Sequence, residues 1–379
     1  MNRLGLVAAI LTVSAVAAGH AAELKVAVLA PLSGPLAPFG MSTRNGALLA
    51  VDQANARGGV LGLRVRAIVE DSQCAALPAE EAAKKVIHLD RVGFVIGEVC
   101  SKASLAVSEI ANAARVIQIS PASTNPAVTV DAHGSTKAYV FRACFIDPFQ
   151  GTIGATFAFR DLKARRAFIL VDPNDAYGSG LTASFEAAFV RLGGRIAGKG
   201  TYGKDQTDFA AVLSTVRRAR PDIVYLPDYF RIVNLVTRQA RGMGIHAPFL
   251  GGDGWDSTEL DARTVAEGYF TDHFSPFDPR SEVRDFLVAY GSAFQTDAGL
   301  PRVPDGLAAL AYDATGMLLE AIREAGSADT DRVRSALERI SYPGVSGTIT
   351  FDRQHNPQKP AVILAVRAGR VDYYTTIQP

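Results

Sequence analysis

The sequence predicts an α/β protein of two similar lobes, and three observations predict it. Strand-patterned and helix-patterned segments alternate strictly from Leu24 to Ser120, the pattern of a parallel sheet covered by helices on both faces. The alternation restarts at "RAFILVD" and runs on to "APFLGGD". The two runs also echo each other. "VGFVIGEVC…IANAARVIQISPAST" and "DIVYLPDYF…ARGMGIHAPFLGGDGW" each read as strand, polar loop, helix, short link, strand and second polar loop. A chain of 379 residues, 48% hydrophobic and 20% charged, is long and apolar enough to build two cores.

Taken in order, the first segment is an address. Arg3 precedes an apolar run from Leu4 to Ala18, and the small residues Gly19, Ala21 and Ala22 follow. This is an export signal over residues 1–21, cut after Ala21 or one residue later, and too short to span a bilayer. No later segment is long and apolar enough to span, and no cysteine near the cut offers a lipid anchor. The mature chain is therefore expected to be soluble and exported.

"LKVAVLAPLSGPLAPFG" then reads as a strand entering a Gly/Pro-rich loop, and "TRNGALLAVDQANARGG" as an amphipathic helix stopped by Gly58 and Gly59. "LRVRAIVED" is a strand, "ALPAEEAAKKVIHLD" a helix, "VGFVIG" a strand, "ASLAVSEIANAA" a helix and "VIQIS" a strand. In the second run, strand "RAFILVD" is followed by helices "GLTASFEAAFVRLGG" and "DFAAVLSTVRRAR". Strand "DIVYLP", helix "VNLVTRQARGMG" and strand "APFLGGD" complete it. Beyond it, "EVRDFLVAYGSAFQ" and "GLAALAYDATGMLLEAIREAG" are helices, and "GTITFD" with "PAVILAVRAGRVDYY" suggests a terminal β-hairpin. A final strand pair with no helix between implies that the chain crosses between lobes more than once.

Export decides what the three cysteines mean. In an oxidising compartment Cys74 and Cys100 can pair, because each lies just beyond a strand and the two strand ends can be neighbours. Cys144, in the apolar "VFRACFI", reads as an inert buried thiol. A net charge of +1 argues for neither nucleic acid nor an acidic membrane face as partner. Neither G-x-S-x-G nor a Walker A loop occurs, and the histidines beyond the signal lack metal-ligand spacing. A hydrolase on this sheet would lack a nucleophile-base-orienter set, so no enzyme activity, cofactor or metal is expected. Gly242-Met243-Gly244 mimics a dinucleotide fingerprint but ends a helix where it should begin one.

The positive signals lie in the loops beyond strands, where open parallel sheets bind ligands. "SPASTNP" places Ser123 and Thr124 in a turn whose hydroxyls and N–H groups can cradle an anion, although an ordinary turn or cap uses the same residues. Ser101 equally suits a ligand contact or a helix cap. "GGDGWD" lets backbone approach closely and leaves the Asp253 carboxylate bare for a cation, or for solvent. Trp255, two residues on, is expected either to sense the cleft or to pack as a core aromatic in an unchanging environment.

These residues carry a resemblance. From "LKVAVLAPLSGPLAPFG" almost to its end, through "APLSGP", "ANARGG", "VIGEVCS", "SPAST", "AYGSGL" and "GGDGW", the chain resembles the periplasmic leucine/isoleucine/valine-binding protein family. The resemblance implies a type I periplasmic binding protein fold, with two Rossmann-like lobes and parallel central sheets joined by a three-segment hinge. Lobe I would comprise 22–144 plus 274–344, and lobe II 145–273 plus 345–379. It implies a periplasmic, monomeric solute receptor of an ABC importer, with membrane permease subunits as partners. Its ligand would be a free amino acid with an aliphatic or other uncharged side chain. Ser101, Ala122, Ser123 and Thr124 would hold the α-carboxylate and Asp253 the α-ammonium, with Tyr177 and Tyr229 closing from the far lobe and Phe39 completing the pocket. The family disulfide falls on Cys74 and Cys100. Phe39 stands where tryptophan or tyrosine is frequent, and Asp253 is shorter than the usual glutamate. Glu98 and Lys102 flank the Cys100–Ser101 pair, and either could add charge at the pocket mouth or turn away from it. The alternative is a non-transport sensor of the same fold for an amide or aromatic acid.

Overall fold

The computed structural model describes residues 23–378 apart from Lys204, so the expected signal over residues 1–21 lies outside the described residues. The first run builds β1 (Glu23–Ala30), α1 (Ala37–Ala56), β2 (Arg64–Asp71), α2 (Ala76–Lys84), β3 (Phe94–Ile96), α3 (Ser101–Ala113), β4 (Ile117–Ser120) and β5 (Val140–Arg142). These strands form an all-parallel sheet in the order β2-β1-β3-β4-β5. Helices cover both faces, so Val26 to Ala30 are all fully buried and the strand reads as a continuous apolar run. Gly58 and Gly59, at φ +91° and +82°, take the left-handed turn that ends α1.

The second run builds α4 (Asp147–Arg160), β6 (Arg166–Val171), α5 (Ala176–Arg191), β7 (Arg195–Thr201), α6 (Ala210–Ala219), β8 (Ile223–Tyr225), α7 (Phe230–Gly242), β9 (Phe249–Gly251), α8 (Ala262–Val265) and β10 (Glu267–Asp272). Then come α9 (Ser281–Ala293), α10 (Gly306–Ala325), α11 (Thr330–Leu337), β11 (Tyr342–Gly344), β12 (Gly347–Ile349), β13 (Ala361–Arg367) and β14 (Arg370–Ile377). The second sheet has the order β14-β13-β10-β9-β8-β6-β7. Its portion β7-β6-β8-β9-β10 repeats the order of the first sheet, and the sequence echo falls on the third and fourth strands of each. The last two strands join antiparallel.

Helices α10 and α11 pack into the core of the first lobe, so the chain crosses three times: after β5, after β10 and ahead of β13. The third crossing is later than the expected 344/345. Ile349 belongs to the first lobe's core, Phe351 packs edge-on to Phe141, and the His355 ring stacks on Phe141 with centroids 4.0 Å apart. "GTITFD" accordingly pairs with Tyr342–Gly344, and "PAVILAVRAGRVDYY" makes its own hairpin in the second lobe.

The segments that form β7, β10 and α4 carried no strong pattern in the sequence. β7 is an edge strand with glycine at 198 and 200, because Phe168, Leu170 and Val212 occupy the space a side chain would take. Cys74 and Cys100 are joined, with Cα atoms 5.4 Å apart, tying the loop after β2 to the end of the β3 loop. Cys144 is a buried free thiol pushed up to about 12 by burial, as its apolar surroundings suggested.

Candidate ligand-binding site

An open α/β sheet offers its ligand crevice where the strand order reverses, beyond the carboxyl ends of the strands. Those points lie between β1 and β3 in the first lobe and between β6 and β8 in the second, and the two face each other. Phe39 lies in the first turn of α1, and Ser101 is the first residue of α3. Tyr177 opens α5, Tyr229 immediately precedes α7, and Ala122 and Asp253 follow β4 and β9. All six line one cavity, with Val99, Gly254 and Leu307. Ser123 and Thr124 are not among its walls.

Asp253 is the charged group of this cavity, buried at 7% exposure. Gln150 Nε2 and the Tyr177 hydroxyl each donate to its Oδ1 at 2.8 Å, and His273 Nε2 lies 3.2 Å from its Oδ2. Burial pushes His273 down to about 4, so it meets Asp253 as a neutral imidazole. A carboxylate only accepts, so Nε2 carries the proton and Nδ1 is bare, in keeping with the absence of any partner on Nδ1. Three donors therefore orient the carboxylate and none of them neutralises it. The glycines around it leave room for this packing: a Cβ on Gly252 would lie 2.5 Å from the Tyr177 hydroxyl. Trp255 turns the other way. It is fully buried in the second lobe's core, and its indole N–H donates to the Leu226 carbonyl at 3.0 Å, so it packs as a core aromatic.

Aromatic rings form the second side. Tyr177 and Tyr229 stack at 5.0 Å and 10°, and Phe39 meets Tyr229 edge-on at 5.7 Å across the cleft. Asn125 Nδ2 donates to the Ala176 carbonyl at 2.9 Å, a further contact between the lobes.

The first lobe supplies the N-terminus of α3, whose free N–H groups and partial positive charge suit an anion. Ser101 and Ala122 stand there. Ser123 does not join them. Its hydroxyl lies 2.6 Å from Ser104 Oγ and donates to the Val99 carbonyl at 2.9 Å. Its N–H goes to Ser120 Oγ, and its carbonyl to Arg142. With its hydroxyl, N–H and carbonyl all bonded within the lobe's own framework, Ser123 braces the wall. Thr124 lies behind the lining with a buried hydroxyl that has no partner.

Glu98 does not charge the pocket mouth. Glu98 points into the first lobe, accepting from Ser72 Oγ at 2.7 Å and Cys100 N–H at 2.5 Å, and burial pushes it up to about 7. Lys102 is exposed. Sequence reasoning missed Gln150, His273, Val99, Gly254 and Leu307. Gln150 shares the first turn of α4 with Asp147, but "DPFQG" carries no motif, and His273 follows β10 in an unremarked segment.

Two doubly wound lobes, three crossings between them and a cavity at their facing switch points define a hinged receptor for a small solute. The chain matches the family described as "Periplasmic binding protein" over residues 23–370, and it belongs to that family. It is 28% identical over 335 residues to the leucine-, isoleucine-, valine-, threonine- and alanine-binding protein of Pseudomonas aeruginosa, covering 87% of this chain and 86% of that one. The solved leucine-binding protein LivK of Thermotoga maritima superposes with a TM-score of 0.86 at 33% identity, covering 94% of this chain and 99% of the other. The branched-chain amino acid binding protein LivJ of Streptococcus pneumoniae, solved with isoleucine, gives 0.86 at 28% identity, with 94% and 100% covered.

Proposed function

We propose that this protein is the extracytoplasmic solute-binding component of an ABC importer. It captures a free α-amino acid with an uncharged, aliphatic side chain and delivers it to a membrane permease. The carrying observation is Asp253, a buried carboxylate oriented by three uncharged donors and facing a cavity whose other walls are mostly apolar. Asp253 takes the ammonium, while Ser101, Ala122 and the N-terminus of α3 take the carboxylate. Phe39, Tyr177, Tyr229, Val99 and Leu307 surround the side chain. The similarity to leucine- and isoleucine-binding proteins supports the same ligand class.

Residues 1–21 direct export, and the mature chain works as a monomer without nucleic acid. Residues 22–144 and 274 to the crossing ahead of β13 move as one lobe against the remainder, closing about the three crossings. A thermal-shift panel of amino acids, amides and aromatic acids, on protein refolded to strip any co-purified ligand, tests this reading. A ligand at a hundred times its dissociation constant adds about 2.7 kcal/mol of stability. Leucine, isoleucine or valine are expected to raise the melting temperature. A response only to acids without an amino group would overturn the ligand class and favour the sensor.

A further inference from the structure

We propose that Gln150 and His273 are positioning residues for Asp253, and that His273 links ligand capture to proton release. The inference rests on the ammonium-binding role given to Asp253 above. His273 stands where the chain leaves β10 for the second crossing, and its ring lies 3.7 Å, centroid to centroid, from that of Phe145 in the first crossing. It therefore touches both the hinge and the Asp253 carboxylate. Gln150, from α4, donates at 2.8 Å to Asp253 and at 2.8 Å to Thr271 Oγ1 on β10, locking the same carboxylate to the same strand.

The charged and titratable groups around the imidazole come from every side. Asp253 accepts from it, and Asp272 on its own strand end accepts its backbone N–H at 2.6 Å. Tyr177 bonds the same Asp253 oxygen as Gln150. Lys359, from the third crossing, disfavours a second positive charge on it, and Asp253 in turn helps raise Asp147 on α4. As a neutral donor His273 aims Asp253 at the ligand. As an imidazolium it would itself pair with Asp253 and compete with the ligand's ammonium, so binding in acid must expel its proton. Burial and Lys359 hold the histidine well below its ordinary value of 6.5, towards about 4, which keeps the competitor absent at neutral pH.

Isothermal calorimetry with L-leucine, on wild type, His273→Leu and His273→Gln, tests this. Runs at neutral pH and near pH 5, in buffers of different ionisation enthalpy, count protons. At neutral pH His273→Leu is expected to weaken binding by about tenfold or more, the effect of losing a donor to a charged group. His273→Gln, which keeps a donor of similar reach, is expected to recover most of that loss. Near pH 5 wild type should release a fraction of a proton per leucine bound, and both variants none. Equal proton release by the variants, none by wild type, or no rescue by glutamine overturns the proposal while leaving the ligand reading intact. If wild type binds no leucine at neutral pH, both fall together. If His273→Leu fails to fold, the proton count of His273→Gln decides alone.

Discussion

Asp253 and Thr124 were expected to meet opposite ends of one ligand, yet they differ in what surrounds them. Asp253 lines the cavity with three donors fixed on it, whereas Thr124 sits behind the lining with an unpaired buried hydroxyl. Removing the charge of Asp253 strips the partner from a desolvated ammonium, which costs on the order of 3–5 kcal/mol. Losing one buried hydroxyl costs about 1–3 kcal/mol. Asp253→Asn is thus expected to weaken amino-acid binding more than Thr124→Val, and calorimetry on the two variants checks the order. Trp255 makes a second residue-scale test. Its ring is sealed in the second lobe and bonded to Leu226, so its emission should not move in a ligand titration that stabilises the protein. A shift on binding would mean that closure repacks that core.

At the scale of elements, one helix pair holds the first lobe to the segment that returns after the second crossing. α1 and α10 approach at Gly46, where a Cβ would overlap the Ala308 carbonyl. Gly46→Ala must push the helices apart, and overpacking of this kind costs about 1–3 kcal/mol. Urea denaturation should show a lower midpoint at unchanged slope, with ligand still raising it. A variant as stable as wild type would contradict this packing. The Cys74–Cys100 link acts on the same lobe from another side. It closes 26 residues and ties the loop that carries Ser101 to the end of β2, worth roughly 3 kcal/mol in the chain-entropy account.

The whole molecule buries an unusual set of carboxyls near the lobe interface. Burial pushes Asp147 up to about 8, and Glu98, Asp228 and Asp305 up to about 7. Each binds its proton more tightly folded than unfolded, so this contribution is complete at low pH and is lost as pH rises through these folded values. His273, lowered from 6.5 to about 4, acts in the opposite sense between those two values, and Lys359, lowered from 10.5 to about 8, does so only above 8. Between pH 6.5 and 8 the carboxyls act alone. The melting temperature of the ligand-free protein is therefore expected to be higher at pH 6.5 than at pH 8, and a calorimetric scan at the two values checks it. An upward slope would mean that these groups are hydrated in the folded state.

Much of this was legible because local periodicity reports local burial. The buried run of β1, the glycine stop after α1, the echo between β3-α3-β4 and β8-α7-β9, and the Cys74–Cys100 pair each sit within a short stretch whose pattern follows its own environment. The loops offered Ser101 and Asp253, the resemblance added Ala122, Tyr177, Tyr229 and Phe39, and the fold brings those six to one cavity. What sequence alone did not decide depends on partners far along the chain. Gln150 reaches Asp253 across 103 positions and His273 across 20, through no motif that spacing could reveal. The third crossing moved because Phe141 holds Phe351 and His355, and β7 was hidden because its small residues make room for Phe168 and Val212. Ser123 has the right chemistry in the right turn, and only the positions of Ser104, Val99 and Arg142 spend it elsewhere. Residue type sets which bonds a side chain can make. Which of them it makes is set by the neighbours that topology delivers, because a buried polar group must take the partners within its reach.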